Sequence, residues 1–247
     1  MRFITHGDIS RRKLMLIHGM VNTSSLFDPL LGALEDFYVI VCELDGHSEK
    51  DESEFISVED SCEKIERYVI QELNGVLDGL LGFSLGGTIA VELLSRGKIR
   101  VGRTILDAAF TVKMGIKTYP FKWLFQTSIL CIKKGIRIPK PLVESVMGKG
   151  NVGIMDTLYR GVSLRSISNA CLSVYRYEIK DSIRNYSNPI TFWHGSNEPY
   201  PIKSAELLFD YLPQLEVKVF PDMGHGQMLH EHPAEYARLV ESFMNIT

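Results

Sequence analysis

A serine stands between glycines in Gly82-Phe83-Ser84-Leu85-Gly86-Gly87, directly after the apolar run Val76 to Phe83. In a G-x-S-x-G of this kind a sharp strand-to-helix turn strains the serine and lifts its hydroxyl above the sheet. Glycines two residues away on either side leave room for the crowded turn. The helix that starts there aims free N–H groups and its positive end at the same spot. A hydroxyl is a poor nucleophile until a base takes its proton. His225, in Met223-Gly224-His225-Gly226, follows the last apolar run on a glycine-flanked loop, which would bring it to the same sheet edge. Alone it reads as a surface loop histidine; paired with the serine turn it reads as the base. A third group must hold the imidazole in the correct tautomer. Trp193-His194-Gly195-Ser196-Asn197-Glu198 ends another apolar run with an acid, so the chain order is serine, acid, histidine.

These residues need a scaffold that gathers distant loops at one edge. Met1 to His6 reads as a short edge strand. Lys13–Ile17, Tyr38–Leu44, Val76–Phe83, Val101–Leu106, Pro189–His194 and Glu216–Phe220 read as central strands. Helical spacing of apolar residues marks Ser24–Leu34, Val58–Leu73, Ser84–Arg96, Ser204–Leu212 and Pro233–Met244. Strands apolar on both faces, alternating with helices, predict an α/β fold: a mostly parallel central sheet flanked by helices. The alternation breaks once, over residues 108–187. Phe121, Leu124, Phe125, Ile129 and Ile132 share a helical face there, with Trp123 and Leu130 beside it. This is too much for a connecting loop. It reads as a helical lid inserted into a core of residues 1–107 and 188–247.

The chain has 247 residues, 45% hydrophobic and 23% charged, and a net charge of −3. That composition excludes disordered, collagenous and coiled-coil chains and gives no footprint for nucleic acid. The charge is uneven: between Phe110 and Arg176 there are 11 Lys and Arg against 2 acids, Glu144 and Asp156. No apolar run reaches the length of a membrane span, and the first ten residues do not read as a signal peptide. Cys42, Cys62, Cys131 and Cys171 are scattered and read as buried thiols of a reducing compartment, with the cytoplasm as the expected location. His230-Glu231-His232 lacks the spacing of a metal-binding helix pair, so neither metal nor cofactor is expected.

With these motifs in place the sequence resembles the α/β-hydrolase-fold serine hydrolases, in particular small esterase-like members with a helical lid, over nearly its whole length. His18-Gly19-Met20 is similar to the family's HG-x turn, and Asp45-Gly46-His47-Ser48 to a shortened DxxGHGxS stretch. Gly224-His225 with Glu231 and Pro233 is similar to the histidine loop and the start of the last helix. The resemblance implies Ser84 as nucleophile, His225 as base and Glu198 as acid. It also implies an oxyanion hole from the backbone N–H groups of Met20 and Leu85. The sequence departs from the family in having Glu for the usual Asp, which leaves Asp107 as a rival acid, and in a truncated N-terminal hairpin.

The function expected is hydrolysis of a carboxylic ester or thioester through an acyl-enzyme. C–C bond hydrolysis, acyl transfer on the same triad, and a non-catalytic ligand receptor remain open alternatives. Dehalogenation is disfavoured, because the elbow carries Ser. The lid offers Phe110, Phe121 and Trp123 for an apolar acyl substrate. Its positive charge suits an anionic leaving group or an acidic acyl-carrier partner. His18 and His47 are expected to shape turns.

Overall fold

The computed structural model describes residues 1–48, 50, 52–136 and 160–245. Seven strands make one sheet: β1 (Arg2–His6), β2 (Arg12–Ile17), β3 (Phe37–Glu43), β4 (Val76–Phe83), β5 (Arg100–Asp107), β6 (Ile190–Gly195) and β7 (Glu216–Phe220). Their spatial order is β1-β3-β2-β4-β5-β6-β7. Only β1 is antiparallel, pairing with β3; the other pairs are parallel. The inner strands are the continuous apolar runs because both of their faces are covered. Leu14 to Ile17, Leu80 and Leu81, and Ile105 and Leu106 are all fully buried. On edge strand β7, Val217 and Val219 are exposed instead.

On one face α1 (Val58–Leu73), α2 (Leu85–Arg96) and α5 (Pro199–Phe209) bury Ile65, Val69, Ile89, Leu93 and Leu208. On the other face a 3-10 segment, Ser24–Ala33, and α7 (Pro233–Asn245) bury Phe27, Leu30, Tyr236 and Val240 against Leu14, Leu16 and Ile105. Local chemistry sets the ends of α1. Its first turn opens at Ser57, whose hydroxyl accepts the Asp60 N–H at 3.1 Å, and its last turn closes at Asn74 in the left-handed region.

Two helices differ from expectation. Ser24–Ala33 winds as a 3-10 segment and encloses Pro29, which has no N–H to give an α-helical ladder. The helix after β6 begins at Pro199, five residues before the expected start at Ser204. Pro199 occupies its first turn, where a proline costs no hydrogen bond. A short helix, α6 (Gln227–Glu231), follows the histidine loop.

Between β5 and β6 the alternation is interrupted by α3 (Thr118–Lys133) and α4 (Leu164–Tyr175). Ile129 is buried on the inner face of α3, with Phe121, Leu124 and Phe125 half-buried beside it. Trp123 is 65% exposed and Leu130 38%, on the outward face. The side chain of Ile132 and residues 137–159 of the expected insertion lie outside the described residues. Among the described residues no helix is long and apolar enough to cross a membrane.

Candidate active site

The turn that ends β4 carries Ser84 at φ 53°, a left-handed conformation that a residue with a side chain adopts only under compensation. The compensation is steric and hydrogen-bonded. The Ser84 N–H donates to the Asp107 carbonyl at 2.8 Å, and the Thr88 N–H donates back to the Ser84 carbonyl at 3.1 Å, opening α2. A side chain at Gly82 would fall 2.3 Å from the Gly86 carbonyl oxygen, and one at Gly86 would fall 2.1 Å from that of Ile17. Both glycines are therefore required by close backbone approach, and helix and strand meet directly beneath the serine.

The loop after β7 delivers His225. Its Nε2 lies 3.0 Å from Ser84 Oγ, and its Nδ1 lies 2.7 Å from Glu198 Oε1. A carboxylate accepts only, so Nδ1 carries the proton toward Glu198 and Nε2 keeps its lone pair for the serine hydroxyl. The Phe83 ring backs the imidazole at 5.1 Å between centroids. Glu198 is 2% exposed, and its second oxygen accepts the Gly195 N–H. The extra methylene of Glu is taken up by this fold-back onto its own turn. The acid and histidine loops are tied together as well: the Asn197 N–H donates to the Met223 carbonyl at 3.0 Å and the Ser196 N–H to that of Phe220 at 2.9 Å. Burial works against a charged His225, but the hydrogen bond and charge of Glu198, with the charge of Asp107, hold its pKa above the ordinary imidazole value.

Asp107, the rival acid, has a hydrogen-bond partner of its own. Its carboxylate accepts the Tyr236 hydroxyl at 2.7 Å. Burial raises its pKa to about 7, with the Glu198 charge adding to the rise and the Tyr236 hydrogen bond and His225 opposing it. The carboxylate bonded to the imidazole is that of Glu198.

The turn after β2 is built on His18. Its Nε2 accepts the Leu44 N–H at 3.1 Å, so Nδ1 carries the proton that goes to the Gly19 carbonyl at 2.8 Å. Burial and the neighbouring His47 push its pKa down to about 3, and burial takes His47 to about 4. Both are neutral turn-shaping residues at any ordinary pH. Met20 follows this turn, and its sulfur lies 4.0 Å from that of Cys171 on α4. Leu85 begins α2, whose unpaired N–H groups point to the same sheet edge.

Of the apolar residues expected near the site, Phe110 and Phe121 are half-buried and join Tyr175 and Tyr200 in ring contacts. Trp123 points outward and does not join them. Tyr175, Tyr200 and Tyr236 were not legible as site residues. The one sequence signal was Tyr200, two residues after the acid. Among the described residues no three His, Cys, Asp or Glu side chains are grouped to hold a metal ion.

Residues 14–239 match the model of the Alpha/beta hydrolase family. The chain belongs to this family. This alpha/beta hydrolase is 22% identical to a pimeloyl-[acyl-carrier protein] methyl ester esterase of Nitrosomonas europaea, over 87% of this chain and 89% of that protein. It is 24% identical to the biotin biosynthesis bifunctional protein BioHC of Teredinibacter turnerae, over 95% of this chain but 45% of the relative, so it spans about half the length of that protein. Among solved structures, an alpha/beta hydrolase family protein from Desulfitobacterium hafniense superposes with a TM-score of 0.88 at 26% identity, covering 99% of this chain and 100% of the other. A Nitrososphaera gargenis structure from work on carboxylesterases superposes at 0.78 with 19% identity, covering 98% and 93%, a likeness of fold alone.

Proposed function

We propose that this alpha/beta hydrolase cleaves a carboxylic ester or thioester through an acyl-enzyme on Ser84. The observation that carries the reading is the unbroken run of hydrogen bonds from Ser84 Oγ through the His225 imidazole to a buried Glu198. In the proposed reaction His225 Nε2 takes the hydroxyl proton as Ser84 Oγ attacks the acyl carbonyl. The carbonyl oxygen gains the negative charge and is held by the N–H groups of Leu85 and Met20. One such donor is worth about 3 kcal/mol in the transition state. The tetrahedral intermediate collapses, the alcohol or thiol departs with the proton from His225, and water repeats the cycle on the acyl-enzyme. Glu198 keeps the imidazole in the required tautomer and stabilises its cation.

Residues 108–187 are proposed to act as a lid, with Phe110 and Phe121 lining the apolar part of the site. Trp123, on the outward face, is proposed to meet substrate only as it enters. The esterase relative acts on a carrier-protein ester, and the excess of basic residues between Phe110 and Arg176 supports an anionic or carrier-borne acyl substrate here.

Ser84→Ala tests the assignment. Turnover of simple esters is expected to fall by about 10⁴-fold or more, with the urea unfolding midpoint close to that of the parent. A fluorophosphonate is expected to add once to the parent, by intact mass, and not to the variant. Full activity in Ser84→Ala would remove the serine from the chemistry.

A further inference from the structure

Four aromatic rings form a closed circuit. Phe110 meets Tyr175 at 5.2 Å between centroids and Tyr200 at 5.5 Å. Phe121 meets the same two tyrosines at 6.1 and 5.7 Å. Each ring comes from a different element: Phe110 from the loop after β5, Phe121 from α3, Tyr175 from α4 and Tyr200 from α5. Three of the four contacts are edge-on, at 61°, 71° and 89°, the arrangement in which ring quadrupoles attract.

The circuit is anchored to the reacting groups on two sides. The Phe110 carbonyl accepts the Thr88 hydroxyl at 2.8 Å, one turn along α2 from Ser84. Tyr200 lies two residues beyond Glu198, in the first turn of the helix that Glu198 opens. A third link runs through α4. Cys171 and Tyr175 are one turn apart on α4, and while Tyr175 joins the rings, Cys171 touches Met20 in the turn after β2. The same helix therefore links the turn after β2 to the rings. Phe110, Phe121 and Tyr200 are only half-buried.

We infer that this circuit is the stop that selects the length of an apolar chain on the substrate. The inference rests on the hydrolase reading of Ser84. A straight chain carried by the ester runs from the carbonyl along the first turn of α2 and ends against the rings. One helical turn is about 5.4 Å, which a chain of about four to six carbons spans. Shorter chains leave ring surface wet. Longer ones must part the rings that join α3 and α4 to Tyr200 on α5. The chain is either the acyl group or the alcohol, and the chemistry that recognises it is the same.

The test measures kcat/KM for two ester series, one lengthened from two to twelve carbons in the acyl group and one in the alcohol. The parent is compared with Phe121→Ala, Tyr200→Ala and Tyr200→Phe. Each methylene taken out of water is worth about fourfold. In one series the parent should gain to about six carbons and then decline. Both alanine variants should carry the gain two to four carbons further, moving the ratio of ten-carbon to four-carbon esters by about tenfold or more, while Tyr200→Phe keeps the parental profile. Which series responds identifies the chain as acyl or alcohol. A uniform loss at all lengths in both series would mean that the rings only brace the fold, and would overturn the inference. Kd values of the same esters for Ser84→Ala, with and without Phe121→Ala, give a readout that needs no turnover. A parent that takes no fluorophosphonate would sink the hydrolase reading; binding indifferent to chain length would sink this one.

Discussion

Two carboxylates lie near one imidazole, and what bonds to each decides its part. Glu198 is bonded to His225 Nδ1, whereas Asp107 is bonded to the Tyr236 hydroxyl. Glu198→Gln would offer the ring an amide that can stabilise the wrong tautomer and cannot balance the imidazolium. A fall in kcat/KM of about 10³- to 10⁴-fold is expected. The pH profile should move too. His225 must be neutral to act as base, so activity rises with pH through its pKa, which Glu198 and Asp107 hold above the usual 6.5 against burial. Removing the Glu198 charge should shift that limb to lower pH. Asp107→Asn should change kcat/KM by less than about tenfold and reveal itself in stability. A carboxyl raised from 3.8 to about 7 keeps its proton in the fold where the unfolded chain has lost it. Its drag on stability therefore grows between about pH 4 and 7 and levels off above. The stability of Asp107→Asn relative to the parent should climb over that window, by at most about 4 kcal/mol, in urea unfolding at a series of pH values. The reverse pattern, with Asp107→Asn inactive and Glu198→Gln active, would exchange their roles.

Elements that owe their existence to local pattern were legible. Strands such as Leu14–Ile17 and Leu80–Phe83 are apolar on both faces because helices cover both, so the run alone marks them. The serine turn, His225 and Glu198 were legible because glycines and strand ends flag loops at one edge. Contacts made only in three dimensions were not. Tyr236 reaches Asp107 across 129 residues, and nothing near Tyr236 in the chain hints at it. Tyr175 and Tyr200 fall outside the helical spans that apolar spacing marks, and they meet Phe110 only through the fold. Pro199 lies five residues before the helix expected from Ser204, whereas in place it starts α5. Gly86 makes the contrast measurable. Helix propensity alone says that Gly86→Ala should stabilise α2 by about 1 kcal/mol. Packing says the opposite, since the new methyl would lie 2.1 Å from the Ile17 carbonyl oxygen and 2.8 Å from that of His18. Backbone atoms cannot rotate away, so α2 must shift from β2. A loss of about 2 to 4 kcal/mol in urea unfolding is expected, with slower fluorophosphonate labelling of Ser84 as Leu85 moves. A stabilised variant would mean that the close approach is not required.

Across the whole molecule, charge is segregated. The stretch from Phe110 to Arg176 carries 11 basic and 2 acidic residues in a chain of net charge −3, so the remainder is strongly acidic. A dipolar distribution of this size does little for the fold but steers what approaches. Among the described residues the basic part contributes α3, whose Phe121 meets Tyr200 beside the acid, and α4, whose Cys171 touches Met20, so an anionic substrate would be drawn toward the site of Ser84. Attraction of this origin is screened by salt, with a Debye length of about 8 Å at physiological ionic strength. For a thioester on an anionic carrier, kcat/KM should therefore drop as salt is raised from 20 to 500 mM, by about tenfold, while a neutral ester of the same acyl group stays level. Lys117 and Lys134 are exposed and flank α3, one residue before it and one after it. Lys117→Glu with Lys134→Glu should flatten the salt dependence, lower kcat/KM for the anionic thioester by about three- to tenfold at low salt, and leave the neutral ester unaffected. A flat salt profile in the parent, matched by indifference to the double reversal, would show that the basic segment serves solubility alone and that the substrate carries no charge the protein reads.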